Sequence, residues 1–256
     1  MTRIWQFFEF IGRVTLFGLK AVRDAFRPPF EFEYFLKQVR EIGWNSLSLI
    51  FASGFALGIV MTLHTRSTLV QFGAEAAIPN LQSMSFFNEI GPLVAALLVA
   101  GRVGAGIGAE LANMRATEQI DAIETLSINS FKFLVVTRIA ACVLILPMLT
   151  VFMDFAGIAG GFASEHVLSN LSWRLYLDRA FANVALANFV PPTLKTAVFG
   201  FIIGTVSCYF GYTINEGSDG VRRASTNSVV LSSLLIILSD VVLVKCIFFF
   251  FPDQAI

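Results

Sequence analysis

From Ser46 to Leu63 the chain runs eighteen residues without a charged side chain, and comparable apolar blocks recur further on. A helix of that length just spans about 30 Å of hydrocarbon. The blocks are continuous rather than alternating, which argues for helices and against a membrane barrel. Composition agrees: 56% of the 256 residues are hydrophobic and only 14% charged, against about 25% charged in soluble domains. The sequence therefore predicts an all-α integral membrane protein. It has about five transmembrane helices, preceded by N-terminal amphipathic interfacial helices. The formal net charge of zero gives no bulk field to recruit nucleic acid.

Two parts follow. Residues 1–42 read as interfacial or cytoplasmic helices, and residues 43–256 as a five-span domain. Within 3–27, Ile4, Phe7, Phe8, Ile11, Val14, Gly18, Ala21, Val22 and Phe26 form one stripe. Arg13, Lys20, Arg23, Asp24 and Arg27 lie opposite. Such a helix lies in the membrane interface, and Pro28-Pro29 ends it. A short second helix is predicted over about 32–42. The spans fall at about 46–63, 86–112, 133–153, 192–212 and 229–250. Residues 115–127 form a short cytoplasmic helix, and 154–190 a periplasmic segment with an interfacial helix near Trp173. No cleavable signal peptide is evident. Twelve of the 18 basic residues fall on the side of the N-terminus, five on the other side and Arg102 inside a span. The N-terminus is therefore expected in the cytoplasm and the C-terminus outside it.

Small residues mark close packing. Gly54 and Gly58 lie one turn apart on the first span. Ala100, Gly104 and Gly108 form one ridge on the second, and Gly101, Ala105 and Ala109 another. Ionisable groups at membrane depth mark function or interhelical pairing. Arg102 is expected to hold helices together through Glu110, Asp240 or free carbonyls. Glu89 either meets a ligand or simply begins its helix. If the helix runs through Pro92, the Asn88 carbonyl loses its donor and sits beside the Glu89 carboxylate. The five lysines follow Leu, Leu, Phe, Leu and Val, never Gly, so the chain cannot form a Walker A phosphate cradle. It carries no HExxH and no GxSxG. Cys142, Cys208 and Cys246 read as small buried hydrophobes, not as a disulfide or metal framework.

Residues 87–126, FNEIGPLVAALLVAGRVGAGIGAELANMRATEQIDAIETL, and residues 217–233, GSDGVRRASTNSVVLSS, carry a resemblance. The first resembles the core signature of the MlaE/YrbE permeases, with its E-[IL]-GP entry, its AGR and its AEL-x-x-MRATEQIDA. The second is similar to that family's loop before the last span. The resemblance implies a permease subunit of an ABC transporter in the bacterial inner membrane. Its cargo would be glycerophospholipids moved between inner and outer membrane, which maintains outer-membrane lipid asymmetry. It implies a homodimer, a separate cytoplasmic ATPase that holds ATP and Mg, a periplasmic MCE-domain ring and a small cytoplasmic STAS-like subunit. No cofactor is expected on this chain. Arg115, Thr117, Glu118, Gln119, Asp121 and Glu124 would form the helix that couples to the ATPase, with Thr117 as N-cap; an ordinary surface helix is the alternative. Phe55, Ile59, Leu63, Arg66, Asn88, Glu89, Leu93 and Leu97 would line a lipid path, although an apolar stripe also serves plain packing. A competing reading is an ion-coupled secondary transporter of an amphipathic substrate, with Glu89, Arg102 and Asp240 as its relay.

Overall fold

The structure is a computed structural model that describes residues 2–28, 30–182, 184, 186–214 and 217–250. Among these there is no strand. The helices are α1 (Thr2–Ala25), α2 (Phe32–Leu69), α3 (Glu75–Ala116), α4 (Gln119–Thr125), α5 (Phe131–Ser169), α6 (Trp173–Ala180), α7 (Leu186–Thr213) and α8 (Ser218–Phe250). Five helical stretches are long and apolar enough to cross a membrane: Phe32–Phe72, Glu75–Ala116, Phe131–Ser169, Asn188–Thr213 and Ser218–Ile247.

Several boundaries differ from the sequence reading: the second span's helix starts already at Glu75 and the last one at Ser218, and two further differences have a packing reason. The short helix and the first span form one helix, Phe32–Leu69. Gly43 does not break it, because the glycine is packed against Ile145. The third span does not stop at Met153 but continues to Ser169. Its glycines there are contact points: Gly157 lies against Phe86 and Gly160 against the Phe55 backbone.

The chain divides into two compact units. The first comprises residues 1–43, 99–145 and 198–236. Here Phe10 and Phe17 pack edge-on to Tyr209 at 5.8 and 5.5 Å, and Gly18 abuts Thr205 and Phe201. The predicted apolar stripe of α1 is thus divided. Gly18 and Ala21 face protein, while Ile11, Val22 and Phe26 are exposed, together with Leu16 and Leu19. The side chains of Ile4, Phe7 and Phe8 lie outside the described residues. Gly104 meets Ser207 and Ile203 of α7, and Gly108 meets Ser228 and Ala224 of α8. Gly101, on the neighbouring ridge, faces open space. Arg138 is fully buried; it donates to Glu110 Oε1 at 2.7 Å and to the Leu134 carbonyl at 2.9 Å.

The second unit comprises residues 44–98, 146–197 and 237–256. Its centre is a glycine seam between α2 and α5. Gly54 meets the Met153 carbonyl and Gly58 meets the Gly157 backbone. Gln82 locks the seam. Its amide donates to the Gly58 and Gly157 carbonyls at 3.2 and 3.1 Å, and its oxygen accepts from Thr62 at 2.5 Å and Tyr176 at 3.2 Å. An amide so fully used, in a dry site, is costly to remove. Gln82→Ala should cost about 2–4 kcal/mol, read as a lowered unfolding midpoint in detergent; an unchanged midpoint would show that water replaces the amide. Tyr176 sits on α6, which Ser172 caps at the Leu175 N–H. Burial pushes the Tyr176 hydroxyl well above its usual range, with the Glu165 carboxylate adding to the shift. It therefore stays a neutral donor to Gln82.

Candidate functional site: an intramembrane lysine between two carboxylates

Pro92 shapes the site. It has no N–H, and the chain relaxes around it. Residues Phe86–Ile90 form a widened, π-type turn in which the Gly91 N–H reaches back to the Phe86 carbonyl. Such turns leave backbone groups available and recur at functional sites. The carbonyl that the sequence reading expected to be free, that of Asn88, accepts from Lys195 Nζ at 3.2 Å. The same ammonium lies 3.1 Å from Glu89 Oε2 and 3.0 Å from Asp240 Oδ1. The first is a hydrogen bond. The second is an ion pair without hydrogen-bond alignment, so Asp240 Oδ1 has no aligned donor. The Lys195 side chain is 2% exposed and Asp240 7%, whereas Glu89 is 43% exposed. One cation on α7 is therefore shared by carboxylates from α3 and α8. The open corner of the cluster is Glu89.

Lys195 was missed as a site residue. A lone lysine three residues past Pro192 reads as the flank of a span that snorkels to water. The signal available was indirect: two acids within spans, Glu89 and Asp240, need a counter-ion. Arg138, inside the expected third span, likewise answers an acid, Glu110.

The other expected residues separate into groups. Arg66 is not beside Glu89's cluster partners. It binds Glu165 through both carboxylate oxygens at 3.0 and 2.8 Å, with Glu75 at 3.8 Å, and so ties α2 to α5. Phe55, Ile59, Leu93 and Leu97 are half-buried and Leu63 is exposed. Arg102 is exposed and, among the described residues, makes no ion pair. The acids offered for it are taken, Glu110 by Arg138 and Asp240 by Lys195. Its expected pairing is therefore corrected: a cation of higher burial holds each acid.

The helix after the second span is shorter than expected, Gln119–Thr125. Thr117 is not its N-cap. The Thr117 hydroxyl donates back to the Asn113 carbonyl at 2.8 Å and closes α3. Glu118 precedes α4 in a left-handed conformation with φ 58°, and it and Gln119 are exposed. Arg115 pairs with Asp121 at 2.8 Å. Glu124 accepts from Ser130 at 2.5 Å. Ile120 is fully buried. The helix is thus anchored on one side, and it presents Glu118 and Gln119 outward.

Comparison with known proteins agrees with this architecture. A probable ABC transporter permease protein of Rickettsia bellii is 37% identical over 238 residues, covering 93% of this chain and 92% of the relative. One of Rickettsia felis is 37% identical and covers 96% and 95%. One of Synechocystis is 33% identical and covers 80% and 78%. The family model described as Permease MlaE matches residues 35–246. That range takes in the Glu89–Lys195–Asp240 cluster and the whole of α4, and by it the chain belongs to the MlaE permease family.

Proposed function

We propose that this chain is the membrane subunit of an ABC transporter that moves glycerophospholipids between the inner and outer membranes and so maintains outer-membrane lipid asymmetry. The observation that carries this reading is the half-exposed Glu89, held by a buried lysine inside a span. A charged group is kept at membrane depth where it meets a polar ligand part, and a phospholipid head group is such a part. Asn88 and Glu89 would meet the head group. Phe55, Ile59, Leu63, Leu93 and Leu97 would meet the acyl chains. The relatives' name, probable ABC transporter permease protein, supports the energy source. The chain has no phosphate cradle of its own, so ATP and Mg belong to a separate cytoplasmic ATPase. The family reading adds a homodimer, a periplasmic MCE-domain ring and a small STAS-like subunit. The N-terminus lies in the cytoplasm and the C-terminus in the periplasm of a bacterial inner-membrane protein. The open ridge at Gly101 offers a surface for the second copy.

In this reading α4 docks on the ATPase. Glu118→Lys is the direct test, because Asp121→Lys would also break the Arg115 pair. In the reconstituted complex Glu118→Lys should lower lipid-stimulated ATP hydrolysis about tenfold while the spans keep their unfolding midpoint. Normal coupling by an assembled Glu118→Lys complex would overturn the docking assignment.

One observation favours ion coupling as a second reading. Asp154 is fully buried against Gly91, and among the described residues neither carboxylate oxygen has a hydrogen-bond partner. A relay through Arg102 is not part of it, since Arg102 is exposed and makes no ion pair among the described residues. Lipid movement in ATP-free vesicles that follows an imposed proton gradient, and stops in Asp154→Asn, would establish this reading in place of the first.

A further inference from the structure

At the C-terminal end of α1 two cavities meet. The larger, about 590 Å³, has Lys20, Arg23, Arg27 and Lys132 as its cations and Asp24 and Glu31 as its acids. The smaller, about 190 Å³, is walled by Ala25, Phe30, Phe32, Phe35, Val136 and Ala140. Glu31 and Lys132 line both. Lys132 is only 8% exposed; its ammonium donates to the Arg27 carbonyl and lies 5.6 Å from the Phe30 ring centre. It thus forms the wall between a basic chamber and an apolar one. The basic chamber falls within the usual size of ligand sites, about 300–1,000 Å³. Its four cations outnumber its acids by two, so it favours an anion. A free anion would have no use for the apolar chamber beside it. On the same helix Leu16, Leu19 and Val22 are exposed, as is Phe26 just past its end, which places the entrance at a bilayer surface.

We propose that this double pocket holds an anionic phospholipid, its phosphodiester among Lys20, Arg23, Arg27 and Lys132 and one acyl chain between Phe32, Phe35 and Ala140. The site is separate from the Glu89 cluster and does not require that the chain transport lipid. Basic pockets on the cytoplasmic side of spans take anionic head groups. The lipid would pin α1 to the membrane and fix the link between α1 and α2.

The test is native mass spectrometry of the full chain in micelles with phosphatidylglycerol or phosphatidylcholine at equal mole fraction. Arg23 and Arg27 are exposed, so Arg23→Gln/Arg27→Gln should fold; an unchanged unfolding midpoint checks this. Wild type should retain phosphatidylglycerol over phosphatidylcholine, and the double variant should bind it about tenfold more weakly. Ala140→Phe, which fills the apolar chamber, should also weaken lipid retention. Equal retention of the two lipids, or no loss in the double variant, would overturn the proposal. Displacement of the lipid by inorganic phosphate would make this a free-anion site and overturn the lipid assignment. Loss of the lipid on binding of the ATPase partner would mark a protein-docking surface and overturn it as well. The readout is binding, so failure here leaves the transport reading standing.

Discussion

Lys195→Met should destabilise the protein by about 3–5 kcal/mol, the range found when one member of a buried ion pair is removed. The methionine keeps the volume and takes away the charge. Glu89 and Asp240 then face each other without a counter-ion, and the Asn88 carbonyl, denied its i+4 donor by Pro92, loses its bond to the lysine. Asp240→Asn should be far milder, since it leaves a one-to-one pair of Lys195 with Glu89. The double variant Lys195→Met/Asp240→Leu should recover most of the loss. A cycle of wild type, Lys195→Met, Asp240→Leu and the double variant gives the coupling directly. The same four proteins separate structure from transport. If the cluster only joins helices, the double variant regains lipid movement along with stability. If Glu89 works on a head group with Lys195 behind it, stability returns and transport does not. A Lys195→Met protein as stable as wild type would dispose of the ion-pair account altogether.

The second large effect is expected at Gly58. A Cβ there runs into the backbone of Gly157, which cannot rotate away as a side chain could. Helix association in lipid depends on such close backbone approach, so Gly58→Leu must separate α2 from α5. It should also pull the Gln82 amide off both carbonyls. Overpacking typically costs about 1–3 kcal/mol, and a rigid backbone obstacle that also breaks a hydrogen-bond node should exceed that. Gly101→Leu is the matched control, because nothing lies within 4 Å of its Cβ position. The isolated subunit should tolerate it. Cross-linking or native mass measurement of Gly101→Leu then reads the dimer: a monomer with a normal unfolding midpoint would place the second copy on that ridge. If Gly58→Leu and Gly101→Leu lower the midpoint equally, the seam is not what holds this unit together.

The sequence makes the spans and their small-residue contacts legible because both are local signals. Gly54 and Gly58 announce a close partner by their spacing alone. The partner of Gly58, Gly157, lies in the stretch 154–190 that the sequence places in the periplasm. Three of its polar residues on the same helix as Gly157, Asp154, Ser164 and Glu165, are buried in the structure, and burial is a tertiary fact that hydropathy along the chain does not carry. The Asn88 carbonyl is the opposite case. The missing N–H of Pro92 follows from covalent structure, so its need for a donor could be stated in advance. Which donor answers it depends on α7 reaching the same place, and Lys195 at the edge of a span looks like any snorkelling flank. Thr117 shows a third kind of miss. A threonine before a helix serves equally to end the preceding one, and the left-handed Glu118 decides between them.

The shared lysine also bears on how the protein is made. Glu89, Lys195 and Asp240 reach the ribosome exit in that order, on three different helices. Until α8 is synthesised, Lys195 has Glu89 and the Asn88 carbonyl for company, a balanced one-to-one set. The last helix adds a second carboxylate to a cation already engaged, so Asp240 enters the bilayer against a partly satisfied partner. Late insertion is therefore the strained moment of assembly. A complete chain with α8 undocked would expose the Asp240 carboxylate to lipid, a cost that docking beside Lys195 removes.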